Sequence, residues 1–355
     1  RHVHELASAL MRVGVHVTVL VPGPAPAPPS GLPYSALVID SARIRAAREL
    51  RSRLPAGRTL AVRALDKAFN AAAERRARRI GADVLHRHFV YEVGFRPGLP
   101  LVYTLHNGNL PTDDTPPQAG PLVKADLERR IRGLRRAVED ADEVVCVSGH
   151  VRDSIIGRLG SQAKSAVVYN GCSQPPPSVT KAQARARLGL RDERIALFIG
   201  HLWRHKRVLR LLPLLEDPAC HLVLIGTGEL EPELRAHAAK EPRLRLLGFV
   251  DEEEKRLWLR AADVLVLPSG TFEGNPLVLL EALRSGTPVY GTMATWLPEP
   301  LRKYGCFGDD VRLAFAAMAI DAAGAIAQVP GWDAVAQQTL AVYRDAVAAF
   351  GRAKA

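Results

Sequence analysis

The sequence predicts an α/β protein: two doubly wound, Rossmann-like domains with parallel sheets. Three observations carry that reading. Apolar strand-like runs alternate with helical patterns from one end of the chain to the other. Runs such as "IALFIG" (195–200) and "HLVLIG" (221–226) are apolar throughout rather than every second residue, which suits strands buried on both faces. The pattern restarts after "SQPPPSVT" (173–180), the best linker in the chain, and 355 residues suffice for two cores.

The elements follow in order. "RHVHELASALMRVG" opens the chain as a helix, with Val3, Leu6, Ala7, Leu10 and Met11 at helical spacing and Gly14 as the stop. "VHVTVLV" (15–21) reads as a buried strand. A doubly wound domain normally begins with a strand whose glycine turn feeds the first helix, so that strand and loop are read as missing ahead of Arg1. "GPAPAPPSGLP" (23–33) is a Pro-rich loop, and 41–80 is mostly helical and rich in arginine. "DVLHRHF" (83–89), "LVYTLHN" (101–107), "EVVCVS" (143–148) and "AVVYNG" (166–171) are strands, and "PLVKADLERRIRGLRRAVEDAD" is a helix with five arginines. The second half adds strands at 195–200, 221–226, 244–250, 263–269 and 288–292. Acid-rich helix starts such as "DEEEKRLWLRAA" suit the positive end of the helix dipole. The division expected is 1–174, 175–332 and a C-terminal helical segment 333–355 packing back on the first domain, with a ligand cleft between the domains.

Composition excludes several classes. Hydrophobic residues at 47% and charged residues at 24% describe a globular chain, not a disordered one. No run approaches the ~20 apolar residues of a membrane helix, and none reads as a secretory h-region. The four cysteines (Cys146, Cys172, Cys220, Cys306) lack metal-ligand spacing and read as free thiols in a reducing, cytoplasmic setting. The net charge of +11 is uneven: residues 1–170 hold 25 basic and 16 acidic side chains, the remainder 23 and 21. That asymmetry suits either an anionic membrane or phosphorylated partner, or merely arginine-decorated helix faces. Nothing points to nucleic acid.

One stretch concentrates the chemistry. In "FEGNPLVLLEA" (272–282), Asn275 is a suitable N-cap and Pro276 a suitable first helical residue, with the helix ending at Gly286. Free backbone N–H groups near 276–278 plus the positive dipole end make an anion site fit for phosphate, and Gly274 allows close approach. Glu281 lies about five residues into the helix, roughly 7 Å below that end. There its carboxylate could accept from two vicinal ribose hydroxyls. Glu273 stands on the other side of the phosphates. Two carboxylates so separated are not a hydrolase pair closing on one glycosidic bond.

These residues carry a family resemblance. The E-x7-E stretch between "LPS" and "SGTPV" resembles the donor-binding motif of glycosyltransferase family 4, retaining enzymes of the GT-B fold. "DVLHRH", "YTLHN", "ADEVVCVS", "VVYNG", "FIGHLWRHKR", "LVLIGTGEL" and "LLGFVDEEE" follow in the family's order over nearly the whole chain. The resemblance implies a transferase moving a hexosyl unit from a nucleotide-diphosphate sugar to a glycan, lipid or small-molecule acceptor, without a catalytic metal or other cofactor. It implies roles for Glu281 on the ribose, for the backbone of Asn275, Pro276 and Leu277 on the diphosphate, and for Glu273 on the sugar. Lys206 would neutralise the leaving group, the backbone at Phe249 and Val250 would meet the base, and His106 would lie near the reacting carbon.

Departures are informative. Where the family has arginine in Gly-Arg-x-x-x-x-Lys, "GHLWRHK" places His201, a weaker clamp that Arg204 could supplement. "ATWLPE" stands where the family has Gly-Gly-x-Pro-Glu. These differences keep two alternatives open, a degenerate non-catalytic sugar-nucleotide or glycan-binding protein and a nucleotide-sugar epimerase. His86 and His88 form a conceivable metal pair without a third ligand nearby in sequence, so no metal site is expected. "GTGEL" (226–230) reads as a structural glycine turn. The arginines of 41–80 and 124–136 could seat the first domain on the inner face of an anionic membrane, at about 1 kcal/mol each, as an enzyme with a lipid-linked acceptor requires.

Overall fold

The computed structural model describes residues 1–22, 31–39, 58–88, 95–110, 120–270 and 273–353. The arginines expected on a helix at 43–53, most of the 23–33 loop and Phe272 lie outside those residues. The chain divides into two units: Arg1–Tyr169 with Trp332–Ala355, and Asn170–Gly331.

In the first unit, helix α1 (His2–Arg12) ends where the left-handed Gly14 (φ 88) turns the chain away, as its sequence predicts. Strand β1 (Thr18–Pro22) pairs in parallel with β2 (Ser35–Ile39), a strand the sequence reading does not identify. Strands β3 (Leu85–Arg87), β4 (Leu101–Leu105), β5 (Glu143–Cys146) and β6 (Ser165–Val167) form a separate parallel sheet in that order. Every residue of β4, "LVYTL", is buried, which explains a strand without polar alternation. Helix α2 (Arg58–Arg79) exposes Arg75, Arg76, Arg78 and Arg79, and α3 (Pro121–Glu139) exposes Arg129, Arg132, Arg135 and Arg136. The C-terminal helix Trp332–Arg352 packs on α1, and Asp333 pairs with Arg12 at 2.6 Å.

In the second unit, β7 (Arg194–Ile199), β8 (Cys220–Ile225), β9 (Leu244–Gly248), β10 (Val264–Leu267), β11 (Val289–Gly291) and β12 (Gly305–Phe307) make one six-stranded parallel sheet ordered β12-β11-β10-β7-β8-β9. Its central strands are buried on both faces. Helix α4 (Lys181–Arg187) starts with a capping box, Thr180 with Gln183. Helix α5 spans Glu231–Ala238. Helix α6 (Glu252–Ala261) is capped by Asp251, and Glu252, Glu253 and Glu254 fill its first turn. Helix α7 (Leu277–Arg284) is followed by left-handed Gly286 (φ 72). The Pro-rich segment is tied into this unit: Cys172 N–H donates to Pro330 and the Gln174 amide to Ser285 Oγ, 2.6 Å.

No single described helix is long and apolar enough to cross a membrane. One pair of consecutive helical segments, Val311–Ala319 and Ala322–Gln328, passes by composition together but is bent by 79°, and several of its apolar residues belong to the unit's core.

Candidate functional site

Strand order places the site. Chain connections run outward from β7 in both directions, to β8 and β9 on one side and to β10, β11 and β12 on the other. Loops leaving the carboxyl ends of β7 and β10 therefore diverge over a crevice, where doubly wound sheets bind ligands. The β7 loop carries His201 to Lys206, and the β10 loop carries Ser269 to Pro276. The two loops meet: Gly270 N–H donates to the His205 carbonyl at 3.2 Å, and Lys206 Nζ binds the Glu273 carboxylate.

Each loop is held by backbone. On the β7 side, Leu202 N–H donates to Thr227 O and Leu230 N–H to Leu202 O, so the "GTGEL" turn grips the loop. Contact is close enough to require glycine. A Cβ on Gly226 would lie 2.0 Å from the Gly200 carbonyl oxygen, and one on Gly228 within 2.8 Å of three Leu202 backbone atoms. On the β10 side, Glu273 forms a parallel bridge with Thr295, donating its N–H to Ala294 O while its carbonyl accepts from Trp296 N–H. Thr292 Oγ1 donates to Ser269 O at 2.7 Å. The "ATWLPE" segment, where the sequence departs from the family pattern, thus braces the loop that carries Glu273. The Glu273 carboxylate also accepts from Ser269 Oγ at 2.7 Å, and it and Lys206 are half-buried.

Helix α7 begins one residue later than its sequence predicts. Pro276 is the N-cap, with ψ 125, and Leu277 is the first helical residue. Asn275 does not cap through its side chain; its backbone carbonyl accepts from Asn170 Nδ2 at 2.8 Å, while the residue and Gly274 are buried. Proline has no N–H, so the donors available at the helix end start with Leu277.

Glu281 lies on the fifth residue of α7, as expected; it is buried and has a protein partner that the sequence reading lacks. Lys255 Nζ of α6 lies 3.3 Å from Glu281 Oε1, with the two side chains 9% and 4% exposed. Lys255 also reaches Glu252 at 2.7 Å. A signal was present: Lys255 shares a helix face with Trp258 and Leu259, three and four residues on, so the pattern sets a lysine among core positions.

The remaining predicted positions are surface ones. His201 is exposed and stacks on Trp203, centroids 4.5 Å apart at 12°. Phe249, after β9, is 89% exposed, and Val250 is half-buried. Arg204 donates its backbone N–H to Glu229. The cation set beside the loop junction is instead Arg207. It is the one described non-glycine residue with positive φ (52), and its Nε would lie 1.8 Å from a Cβ added to Gly270. Sequence reasoning missed it because nothing in the pattern marks a left-handed arginine.

His106 belongs to the first unit, just past β4, and sits among other histidines. His88 Nδ1 lies 3.4 Å from His106 Nε2, and the His2 and His106 rings meet edge-on at 4.5 Å. The sequence gives His86 and His88 no third histidine nearby; the fold supplies two, from β4 and α1. His86 bonds Tyr343 Oη through Nδ1 and Thr104 Oγ1 through Nε2, both at 2.7 Å. Burial disfavours the charged rings, lowering His86 to about 3, His106 to about 4 and His88 well below its ordinary value.

Comparison with known proteins agrees with this architecture. Residues 1–173 match the model of Glycosyltransferase Family 4, and residues 193–322 that of Glycosyl transferases group 1. The chain is 30% identical to the D-inositol 3-phosphate glycosyltransferase of Streptomyces avermitilis over 321 residues, 76% of this chain and 67% of the relative. Among solved structures, sucrose-phosphate synthase from Thermosynechococcus elongatus superposes with a TM-score of 0.73 at 20% identity, covering 98% of this chain and 93% of that one. Anabaena HepE in complex with UDP-glucose gives 0.59 at 19%, covering 92% and 99%. The fold is GT-B, and the chain belongs to glycosyltransferase family 4.

Proposed function

We propose that this glycosyltransferase is a retaining enzyme that moves a hexosyl unit from a nucleotide-diphosphate sugar to a glycan, lipid or small-molecule acceptor, with no metal in the reaction. The observation that carries the reading is the convergence of Lys206, Glu273 and the amino end of α7 at one switch point of the second unit. The diphosphate lies against the helix end, at Gly274, Asn275 and the Leu277 N–H, with Lys206 beside it. Glu273 turns from Lys206 to the sugar hydroxyls. Glu281 accepts from the ribose hydroxyls, which share its carboxylate with Lys255. The base packs near Phe249 and Val250. His201 and Arg207 supply contacts where the family pattern has its arginine. The family resemblance gives His106, in the first unit, a role near the reacting carbon. UDP-glucose bound to a HepE protein of the same fold supports a donor of this class.

Transfer proceeds at the front face. The bond from the anomeric carbon to phosphate breaks, and the acceptor oxygen bonds that carbon from the same side. The acceptor proton passes to the departing phosphate oxygen. Lys206 and the helix dipole stabilise the charge growing on that phosphate. Lys206→Ala and Glu273→Ala should each lower turnover by about 10²–10³-fold, the size of one lost electrostatic contact. Near-normal rates in both variants would sink the assignment. A thermal-shift panel of UDP-, GDP- and ADP-sugars names the donor.

The exposed arginines of α2 and α3, of which Arg78, Arg129 and Arg132 also pair with carboxylates on their own helices, are consistent with a cytoplasmic enzyme that meets its acceptor at an anionic bilayer. Flotation with anionic vesicles at low salt checks this, and absence of binding removes it.

A further inference from the structure

We propose that His2, His88 and His106 form a three-imidazole site for Zn²⁺ in the first unit. One ring nitrogen from each lies within 4.8 Å of the others, although the residues come from α1, the end of β3 and the end of β4. The distances suit the ion. Zinc binds imidazole nitrogen at about 2.0–2.1 Å, so neighbouring ligands of a tetrahedral site stand about 3.3 Å apart. His88 Nδ1 and His106 Nε2 already stand at 3.4 Å. His2 must close by up to about 1.5 Å, from within 4.8 Å to about 3.3 Å, which a rotation about its side-chain bonds can supply. All three residues are half-buried, so an ion can enter and a water can take the fourth position.

The donor set selects the metal. Magnesium and calcium need oxygen ligands, and the cluster offers only imidazole nitrogen. Copper(II) favours tetragonal geometry, whereas three neutral imidazoles and one open position suit zinc. His86 is not a ligand: both of its nitrogens are taken, by Tyr343 and Thr104. Its ring packs 4.1 Å from that of His88 and fixes where that ligand stands. Binding costs no net proton among neutral rings. The hydrogen between His88 Nδ1 and His106 Nε2 moves to the other nitrogen of its own ring, leaving two lone pairs for the ion.

The assignment concerns binding: zinc occupies His106, so the metal-bound form is one in which that residue does not serve the proposed reaction. The metal-free protein is titrated with Zn²⁺ against a chromophoric chelator, and the zinc-loaded protein is measured by X-ray absorption. One equivalent should bind at micromolar concentration or tighter, with a first shell of three imidazole nitrogens. His88→Gln and His2→Gln should each weaken binding more than tenfold, while exposed His237→Gln leaves it unchanged. Should a ligand variant fail to fold, the wild-type absorption spectrum decides alone. Failure to bind Zn²⁺, a shell with fewer than three imidazoles, or equal binding in His88→Gln and His2→Gln would each overturn the site and leave a packed cluster of hydrogen-bonded rings.

Discussion

Removing the ammonium of Lys255 while leaving Glu281 in place isolates the most deeply buried ion pair near the candidate donor site. At 3.3 Å and an effective dielectric near 20, the gross attraction is about 5 kcal/mol. Desolvation of both ions offsets much of that when the pair is intact, so the pair itself adds little net stability. Breaking it is different. Lys255→Met keeps the side-chain volume but leaves a carboxylate only 4% exposed without its cation, which should cost about 3–5 kcal/mol. The reverse variant, Glu281→Gln, should cost less, about 1–2 kcal/mol, because Lys255 keeps Glu252 at 2.7 Å near the surface. Lys255→Met/Glu281→Gln together should recover most of the loss, giving a strongly non-additive cycle. Urea unfolding followed by tryptophan fluorescence reads this, since Trp203, Trp258 and Trp296 all belong to the second unit. A Lys255→Met protein within about 1 kcal/mol of wild type would refute the claim that this lysine holds the Glu281 charge.

Two further outcomes follow from packing. Gly228→Ala drives a Cβ into the Leu202 backbone, which cannot yield, so the loop from His201 to Lys206 must shift. Donor affinity should fall at least tenfold, the scale of one displaced charge contact, and unchanged affinity by calorimetry would show that the turn does not set the loop. Burial raises the Cys146 and Cys220 thiols to about 12, so their thiolates form only well above pH 8 in the folded chain. Iodoacetamide at pH 8 should label half-buried Cys306 first, with Cys146 and Cys220 reacting only after urea is added; early labelling of either contradicts the burial seen here.

Much of the sheet was legible because parallel strands buried on both faces are written as unbroken apolar runs. β7, β8 and β10 are of this kind, and each was found within two residues of its ends. β12 escaped because Gly305–Phe307 is only three residues long and half-buried, with no clear period; β2, Ser35–Ile39, went unread although four of its five residues are apolar. The site was legible where chemistry is local: Glu273 and Glu281 stand eight residues apart on one loop and helix. Lys255, 26 residues from Glu281, was hidden, since pairing across α6 and α7 is a tertiary contact. The same holds for His2, 86 positions from His88. The helix start slipped by one residue because Pro276 keeps an extended ψ of 125 while Asn275 is tied to Asn170.

The left-handed backbone at Arg207 bears on why an arginine occupies that position. A side chain there costs about 1–2 kcal/mol that glycine would be spared. Glycine in turn would add unfolded-chain entropy worth about 0.5–1 kcal/mol, so the two choices differ little in stability. What separates them is a guanidinium resting against Gly270 at the junction of the two loops. Mutational drift toward glycine would meet almost no thermodynamic resistance, and only a demand for positive charge at the switch point would hold the arginine there.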